Sequence, residues 1–252
     1  MNKNIIILAG GLGKRMNSEI PKVLHLIYLK PMLVHVIEQA RLINPEKILI
    51  VVGKYKEIII NVLKQYISIV DLEFVYQSEP LGTGHAIQCC KPFLLENCGG
   101  DLEANTVLIL SGDVPLIKHR TITNLLENCY DVSIVTTNLA NPKGYGRIIE
   151  ENGIFSKIVE EKDCTEEEKV IKKVNCGIYS VKCNLLCKHI DKLTNYNSQN
   201  EYYLTDIIEI IKREEAVSIG MYNIDEDKQH EIMGVNTAEQ LSELEALNNN
   251  MI

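Results

Sequence analysis

The sequence predicts an α/β protein with a Rossmann-like, doubly wound sheet that is mixed but mostly parallel, and with a small β-rich lobe attached to it. Short apolar runs alternate with helical patterns from residue 4 to residue 138, which is the rhythm of βαβ units. Turns that are rich in glycine or contain aspartate follow three of these runs. After residue 140 the alternation gives way to a pattern of adjacent strands, which indicates the lobe.

The spacing of apolar side chains defines the elements of the first 140 residues. Short continuous apolar runs are typical of strands buried on both faces, and they predict strands over residues 4–9, 47–53, 72–76, 106–113 and 131–138. Helical spacing predicts helices over residues 31–43, 57–67, 84–95 and 121–129. Right-handed crossovers bring the carboxyl ends of parallel strands to one edge, where open α/β sheets bind ligands. We therefore expect the turns GGLGKRM, PLGTG and SGDVPL to meet at that edge.

The second half of the chain predicts a different arrangement. Residues 145–163 read as two strands that turn at Asn152-Gly153, a dipeptide favoured in two-residue hairpins. Residues 174–181 predict a further strand, and we expect this stretch to form a lobe over the sheet edge. An amphipathic pattern at residues 237–247 predicts a helix near the end of the chain.

Composition narrows the classes of function. The chain has 252 residues, of which 46% are hydrophobic, enough to bury a sizeable core. Its formal net charge of −8 argues against a nucleic-acid or membrane-surface partner, because both need a positive field facing phosphates. No run approaches the ~18 consecutive apolar residues of a spanning helix, and the N-terminus lacks a secretory pattern. We expect a cytoplasmic protein with no nucleic-acid or membrane partner.

Eight cysteines are scattered through segments of regular pattern, at positions 89, 90, 98, 129, 164, 176, 183 and 187. A chain of this length can be stable without disulfide bonds, so we interpret the cysteines as reduced structural thiols. Cys183 and Cys187 are spaced to share one helical face. Because no nearby His or Cys completes a zinc ligand set, we do not predict a metal site there.

The loop GGLGKRM at residues 10–16 fails two well-known phosphate-loop patterns. The P-loop pattern fails because Leu8 stands where its first glycine belongs and Arg15 where its hydroxyl residue belongs. The dinucleotide pattern fails because Met16 stands at its third glycine. What remains is a turn whose backbone N–H groups can cradle an anion, with Arg15 able to contact phosphate in a bidentate way and Lys22 adding a second charge. From the loop alone, a plain turn with surface Lys and Arg explains the pattern equally well.

Eight motifs taken together carry more information, and they occur in the order LAGGLGKRMNSEIPKVLH, QSEPLGTGHA, LSGDVPLI, GYGRI, IVEEKD, VNCGIY, NEYYLTDII and GVNT. In order and spacing they resemble the nucleotidyltransferases that make UDP-N-acetylglucosamine from UTP and N-acetylglucosamine 1-phosphate. The match is best with the pyrophosphorylase half of the bacterial bifunctional uridyltransferases, and it runs from Ile5 to about Leu247. It implies the fold of the nucleotide-diphospho-sugar transferases in a single domain, residues 1–252. That domain divides into a nucleotide-binding half (1–140), a sugar-binding lobe that returns to the sheet (141–236), and a C-terminal helix and tail (237–252).

The resemblance also implies a role for each matching residue. It makes Arg15 and Lys22 the catalytic cations that hold the UTP phosphates, and Asp113 and Asn236 the ligands of Mg²⁺. The implied nucleotide-binding residues are Leu8, Ala9, Gly10, Gly11, Gly13, Gln77, Gly82 and Thr83. The implied sugar-binding residues are Gly144, Glu160, Asn175 and Tyr203, with Tyr202 in the same motif.

The implied chemistry needs no covalent intermediate. An oxygen of the sugar 1-phosphate attacks the α-phosphorus of UTP in line and pyrophosphate leaves, so the protein has to position two polyanions and offset their repulsion. His85 is not required as a general base, because the attacking phosphate is already ionised; we interpret it as a residue at a helix start. Of these residues, Asp113 is the one whose own position most clearly indicates a functional role, because a carboxylate at the end of a buried strand needs a cation or hydrogen-bond donors.

Two positions depart from the family pattern. Pro80 stands where the bacterial enzymes usually have a second glutamine that contacts uracil, so base recognition is expected to depend on Gln77 and on backbone groups. The side chain of Gln77 can present both an acceptor and donors to the base, whereas Pro80 has no polar side-chain group and no N–H. Gly10 replaces the usual alanine, which adds backbone freedom.

Several alternatives remain open from the sequence. A thymidylyltransferase acting on glucose 1-phosphate, or a cytidylyltransferase acting on an alcohol phosphate, would share the glycine loop and the Gly-Asp strand end. A nucleotide-sugar-binding subunit without turnover would keep the fold. The bifunctional relatives continue into a left-handed β-helix, whereas this chain ends at Ile252, so we expect no acetyltransferase domain and no acetyl transfer. Monomer and dimer both remain possible.

Overall fold

A computed structural model describes residues 2–11, 13–16, 18–97, 102–127 and 129–249. Eleven strands lie in these ranges: β1 Asn2–Leu8, β2 Leu26–Ile27, β3 Lys30–Pro31, β4 Lys47–Val52, β5 Leu72–Tyr76, β6 Asn105–Ser111, β7 Val132–Asn138, β8 Arg147–Glu151, β9 Ile154–Val159, β10 Lys173–Lys182 and β11 Ile219–Asn223. The α-helices of the same ranges are α1 Met32–Arg41, α2 Lys56–Tyr66, α3 Thr83–Asn97, α4 His119–Glu127, α5 Glu166–Lys169, α6 Cys183–His189, α7 Asp206–Glu214 and α8 Ala238–Asn249. Short 3₁₀ turns include Lys14–Met16 and Lys22–Leu24.

One mixed sheet dominates the fold. Its strands run in the order β11-β7-β10-β6-β1-β4-β5, with the β8–β9 hairpin attached to β10. The pairs β6–β1, β1–β4, β4–β5 and β7–β11 are parallel, whereas β10 is antiparallel to both of its neighbours. The carboxyl ends of β1, β4, β5 and β6 therefore lie at one edge, as the βαβ rhythm predicts.

Two hydrophobic layers cover the sheet, one on each face. The side chains of β1 alternate between them: Ile5 and Ile7 belong to one layer and Ile6 to the other, and all three are fully buried. The first layer packs α1, α2 and α4 through residues such as Leu33, Leu63 and Leu125. The second packs α3, α6 and α7 through residues such as Ile87, Leu186 and Ile211. Burying each such side chain contributes roughly 1.5–3 kcal/mol of transfer free energy. Because the apolar side chains of β1 point to both faces, burying all of them requires helices on both sides of the sheet.

The elements predicted for the first 140 residues are confirmed, with ends that shift by a few residues at most. The hairpin is also confirmed, because β8 and β9 flank a turn at Asn152-Gly153, where both residues have positive φ. The placement of the strand at residues 174–181 was wrong. This strand, β10, runs antiparallel between β6 and β7 in the middle of the sheet and not in a lobe above its edge. A buried apolar pattern predicts a strand but does not specify its neighbours.

The described cysteines are all free thiols, and Cys98 lies outside the described residues. Cys183 and Cys187 share a face of α6, as their spacing predicts, and their sulfur atoms are 3.9 Å apart. Within the described ranges, no helix combines the length and apolar character needed to cross a membrane.

Candidate active site

The glycine loop leaves the carboxyl end of β1 and folds back over the turn that begins at Lys22. The backbone of Gly13 has φ +60°, and a Cβ there would lie 2.8 Å from the Cβ of Lys22. A side chain at residue 13 would therefore be strained and would push Lys22 away. Glycine at this position therefore lets the loop and Lys22 pack together.

Four predicted residues converge at this edge. The guanidinium of Arg15 donates to Oδ1 of Asn236 at 2.8 Å, and the ammonium of Lys22 donates to the same oxygen at 3.1 Å. Lys22 also forms an ion pair with Oδ2 of Asp113. The side chains of Lys22 and Asp113 are only 14% and 16% exposed, so this pair is partly shielded from solvent. Two cations, a carboxylate and an amide oxygen thus meet in one cluster, although Arg15 and Asn236 are separated by 221 positions.

The backbone holds this cluster in place. The N–H of Val235 donates to the carbonyl of Asp113 at 2.9 Å, which returns the last segment of the chain to the end of β6. The N–H of Asn236 donates to Oε1 of Gln240 in α8 at 2.7 Å. The hydroxyl of Ser111 donates to Oδ1 of Asp113 at 2.6 Å. Asp113 is therefore held both by Ser111 beside it and by Val235 from the last segment of the chain, and the backbone of Asn236 is held by α8.

Gln77 follows β5 and is only 6% exposed. Its amide nitrogen donates to the carbonyl of Gly82 at 3.0 Å and lies 3.1 Å from Nδ1 of His85. One N–H of the Gln77 amide is therefore engaged inside the chain at Gly82, and the amide nitrogen also faces the ring of His85. Gly82 has φ +114°, and a Cβ there would lie 2.6 Å from the carbonyl oxygen of Tyr202. No side chain fits at residue 82.

The turn around Gly82 is joined to the segment that precedes α7. The N–H of Tyr202 donates to the carbonyl of Leu81 at 2.8 Å, and the N–H of Gly84 donates to the carbonyl of Tyr202 at 2.7 Å. The hydroxyl of Thr83 accepts from the N–H of Leu204 at 3.1 Å. Thr83 is thus tied to the segment that carries the EYY motif.

Glu160 and Asn175 meet around Gly146. The N–H of Asn175 donates to the carbonyl of Gly146 at 2.9 Å, and a Cβ on Gly146 would lie 3.6 Å from Oε2 of Glu160. The hydroxyl of Thr205 donates to Oε1 of Glu160 at 3.0 Å. Burial raises the pKa of Glu160, and the charges of nearby carboxylates act in the same direction against the hydrogen bond from Thr205. This is a shielded carboxyl group, not a solvated surface glutamate.

Tyr203 is buried, and two side chains hold its hydroxyl. The hydroxyl donates to Oδ2 of Asp163 at 2.9 Å and accepts from the amide of Gln199 at 2.9 Å. Gly144 is different, because it is exposed, has φ +90° and has open space where a Cβ would lie. The described contacts do not join it to the other predicted sugar-binding residues.

Comparison with known proteins identifies the family. Residues 5–158, more than half of the chain, match the model of the MobA-like NTP transferase domain. The chain belongs to this family of nucleotidyltransferases. The transferase is 44% identical over 248 residues to a protein of Acanthamoeba polyphaga mimivirus named a probable UDP-N-acetylglucosamine pyrophosphorylase, covering 96% of this chain and 95% of that one.

Two further comparisons place the transferase beside larger and more distant proteins. It is 43% identical to the bifunctional protein GlmU of Clostridium tetani, over 96% of this chain. It spans about half of that relative, 51% of its length. A UDP-glucose pyrophosphorylase solved with UDP-glucose has the same fold, with a TM-score of 0.73 and 19% identity over the full length of both chains.

Sequence reasoning missed several groups that support the site of the transferase. Asp163 and Thr205 hold Tyr203 and Glu160, and they lie inside the quoted motifs without being singled out. The phenol of Tyr145 hydrogen-bonds the backbone of Gly234, and burial raises its pKa. Tyr145 lies in the motif GYGRI and Gly234 in the motif GVNT. The presence of both motifs in one chain was the only sequence feature that could have predicted this contact.

The oxygen ligands at the sheet edge suit a hard divalent cation. Transfer from a nucleoside triphosphate generally uses a divalent metal that offsets phosphate charge. Among the described residues no group of three or more His, Cys, Asp or Glu side chains could hold a metal. Asp113 and Asn236 offer one carboxylate and one amide oxygen at a single point, which suits an ion that takes its other ligands from phosphate and water.

Proposed function

We propose that this transferase moves a uridylyl group from UTP to N-acetylglucosamine 1-phosphate, forming UDP-N-acetylglucosamine and pyrophosphate. The observation that carries the proposal is the cluster of Arg15, Lys22, Asp113 and Asn236 at the carboxyl edge of the sheet. The names of the mimivirus and clostridial relatives support the choice of substrates. The free thiols of the described cysteines support a reducing, cytoplasmic setting.

In the proposed reaction an ionised oxygen of the sugar 1-phosphate attacks the α-phosphorus of UTP. A new bond forms between that oxygen and the α-phosphorus as the bond to the bridging oxygen of the β-phosphate breaks, and the electron pair leaves with pyrophosphate. No proton has to move before attack. The work of the chain is to align the two phosphates and to stabilise the charge that spreads over the transferring group.

Arg15 and Lys22 are assigned to the triphosphate. The planar guanidinium of Arg15 can contact two phosphate oxygens at once, and Lys22 provides a second charge beside the glycine loop. The N–H groups of Gly10, Gly11 and Gly13 are assigned to the same anion. The net charge of the chain is −8, so this local cationic cluster gives polyanionic substrates one favourable place to bind.

Asp113 and Asn236 are assigned to Mg²⁺. When bound, the ion supplies positive charge that neutralises phosphate oxygens and lowers the repulsion between the two substrates. The chain holds these two residues in position: Ser111 and Val235 donate hydrogen bonds to Asp113, and the N–H of Asn236 donates to Gln240.

The base and the sugar are assigned to the two flanking regions. Gln77 with the turn at Gly82 and Thr83 would receive the uracil and ribose, and Glu160, Asn175 and Tyr203 would receive the sugar, with Gly144 at its exposed rim. In this proposal residues 1–140 bind the nucleotide and residues 141–236 bind the sugar and return to the sheet. The third segment, residues 237–252, contributes Gln240, which accepts a hydrogen bond from the N–H of Asn236.

Pyrophosphate release tests the proposal. The purified chain is assayed with UTP, dTTP, CTP or ATP, each combined with N-acetylglucosamine 1-phosphate, glucose 1-phosphate or an alcohol phosphate, in Mg²⁺. We expect the highest kcat/KM for UTP with N-acetylglucosamine 1-phosphate. Preference for another pair would reassign the substrates to a related transferase. Tight binding of UDP-N-acetylglucosamine without any pyrophosphate release would identify a binding subunit and contradict the proposal.

A further inference from the structure

The orientation of the Gln77 amide is fixed by its neighbours. The atom 3.0 Å from the carbonyl oxygen of Gly82 must be the nitrogen of the amide, because a carbonyl can only accept a hydrogen bond. The same nitrogen lies 3.1 Å from Nδ1 of His85. With the residue only 6% exposed, water cannot readily replace either contact. Turning the amide over would place its oxygen against two acceptors.

The neighbours of His85 allow two positions for its ring hydrogen. Nδ1 lies 3.0 Å from the carbonyl of Glu79 as well as 3.1 Å from the amide of Gln77, so it can donate to the first or accept from the second. The Glu79 carbonyl accepts from the N–H of Leu81 at 2.9 Å in either case, whereas the second N–H of Gln77 has no other acceptor in the described part of the chain. The arrangement that pairs both N–H groups of the buried amide has Nδ1 of His85 as the acceptor and the hydrogen on Nε2.

The oxygen of the same amide is left for a ligand. Within the described residues no donor bonds Oε1 of Gln77, and this atom faces the glycine loop, since a Cβ on Gly10 would lie 3.1 Å from it. A buried amide with both N–H groups engaged and its oxygen directed to the nucleotide edge can act only as an acceptor.

We infer that His85 is a specificity-determining positioning residue, which holds Gln77 as an acceptor-only reader of the base. The inference rests on the proposed uridylyl transfer. Uracil presents the donor N3–H to such an oxygen, whereas the N3 of cytosine presents a lone pair and is repelled. Pro80 has no polar side-chain group that could add a second contact. Thymine also carries N3–H, so the predicted discrimination separates uracil and thymine from cytosine.

Equilibrium binding tests this inference without needing turnover. Dissociation constants for UTP, 5-methyl-UTP and CTP are measured by calorimetry in Mg²⁺ for the natural chain, His85→Phe, His85→Asn and His119→Phe. The matched control is His119, because Nδ1 of its ring also contacts a glutamine side chain, at 3.3 Å from Oε1 of Gln39. Phe removes the acceptor at residue 85 but keeps a ring, whereas Asn can place an oxygen near the position of Nδ1.

We expect the natural chain to bind UTP and 5-methyl-UTP about equally and CTP much more weakly. His85→Phe should reduce the ratio of UTP to CTP affinity by about tenfold, because the amide can turn at lower cost. His85→Asn should retain more of the ratio than His85→Phe, and His119→Phe should retain all of it. Equal ratios in the natural chain and His85→Phe, or no preference for UTP in the natural chain, would overturn the inference.

A spectroscopic measurement on the natural chain covers the case in which a variant does not fold. The ¹⁵N resonance of Nδ1 in His85, assigned by its loss in His85→Asn, is expected at the position of an unprotonated ring nitrogen. A protonated Nδ1 would overturn the inference. Failure of the proposed function gives a different pattern, in which UTP binds with the expected preference but no pyrophosphate is released.

Discussion

Arg15 is expected to matter more to the proposed reaction than to folding. It is exposed and contacts the rest of the cluster through Asn236 at 2.8 Å. We predict that Arg15→Ala lowers kcat/KM for UTP by about a hundredfold, since a charge-assisted contact to the triphosphate is lost. The melting temperature should change by no more than about 2 °C, because exposed polar contacts contribute little to stability. Pyrophosphate release and thermal unfolding measure the two effects.

Two comparisons complete that test. Arg15→Lys should recover activity only partly, because lysine keeps the charge but loses the planar fork. Arg213, another arginine, is 64% exposed and pairs with Glu214 at 3.3 Å in α7, so Arg213→Ala should leave turnover unchanged. Wild-type kinetics in Arg15→Ala would move phosphate binding to other residues.

These residues could be predicted from eight motifs read together, because the order and spacing of the motifs resemble one family. The glycine-rich turn alone could not decide, since a plain turn with surface Lys and Arg explains it equally well. Supporting residues are harder to find. Asp163 holds Tyr203 across 40 positions and Thr205 holds Glu160 across 45, so their roles depend on tertiary contacts that no local spacing reveals.

The lobe element β8 is anchored by a buried charge. Arg147 is 1% exposed, forms an ion pair with Glu161 at 2.7 Å, and donates to the carbonyl of Lys169 at 3.2 Å. We predict that Arg147→Met destabilises the protein by about 3 kcal/mol, because it leaves backbone carbonyls without their donor and the Glu161 carboxylate without its counter-charge. Urea unfolding provides the free energy of unfolding.

Lys169→Met is the matched control for that substitution. The Lys169 side chain is 42% exposed and pairs with Glu166 at 2.6 Å, while Arg147 uses only its backbone carbonyl. We expect a change below about 0.5 kcal/mol for this variant. Equal effects of the two substitutions would show that Arg147 does not anchor the lobe.

The first residue of α7 should make stability depend on pH. Burial, followed by the charges of Glu160, Glu209 and Asp163, raises the pKa of Asp206 from 3.8 to about 6. A carboxyl group whose folded pKa lies above its unfolded pKa costs stability when ionised, and the cost fades as the pH falls from 6 towards 4.

We therefore predict that Asp206→Asn stabilises the protein above pH 6, by about 1 kcal/mol once solvent screening of this partly exposed group is allowed for. In melting temperatures measured from pH 4 to pH 8, this corresponds to a gain of a few degrees at pH 8 that disappears near pH 4. A gain of the same size at every pH would exclude the titration of Asp206 as its cause.

Elements of the parallel part of the sheet were predictable because each one repeats the same local rule, an apolar run followed by a helical pattern. The strand β10 shows where that rule stops. Its residues are largely buried, so the apolar pattern was enough to predict a strand. Its antiparallel position between β6 and β7 depends on the chain coming back to the sheet after β8, β9 and α5, which no local pattern specifies. The helices α5 and α6 have four and seven residues, which are too few for a clear helical period.

At the scale of the whole molecule, the parts of the site are joined by contacts between distant segments. Thr83 links the turn after Gln77 to Leu204, and Val235 links the last segment to Asp113. Each contact spans more than a hundred residues of chain. The motifs therefore predict which residues the candidate site would contain, and the topology of the sheet brings Arg15, Lys22, Asp113 and Asn236 together.

Turnover measured against Mg²⁺ concentration for four proteins tests the central claim most directly: the natural chain, Asp113→Ala, Asn236→Ala and the double variant. Asp113 supplies the only formal negative charge of the proposed metal pair, so its loss should remove most activity and sharply raise the Mg²⁺ requirement. Asn236→Ala should do so more mildly, since it removes one neutral oxygen. Because both act through one ion, the double variant should lose much less than the product of the single losses. Fully multiplicative losses, or an unchanged Mg²⁺ requirement in either single variant, would contradict a shared metal at this site.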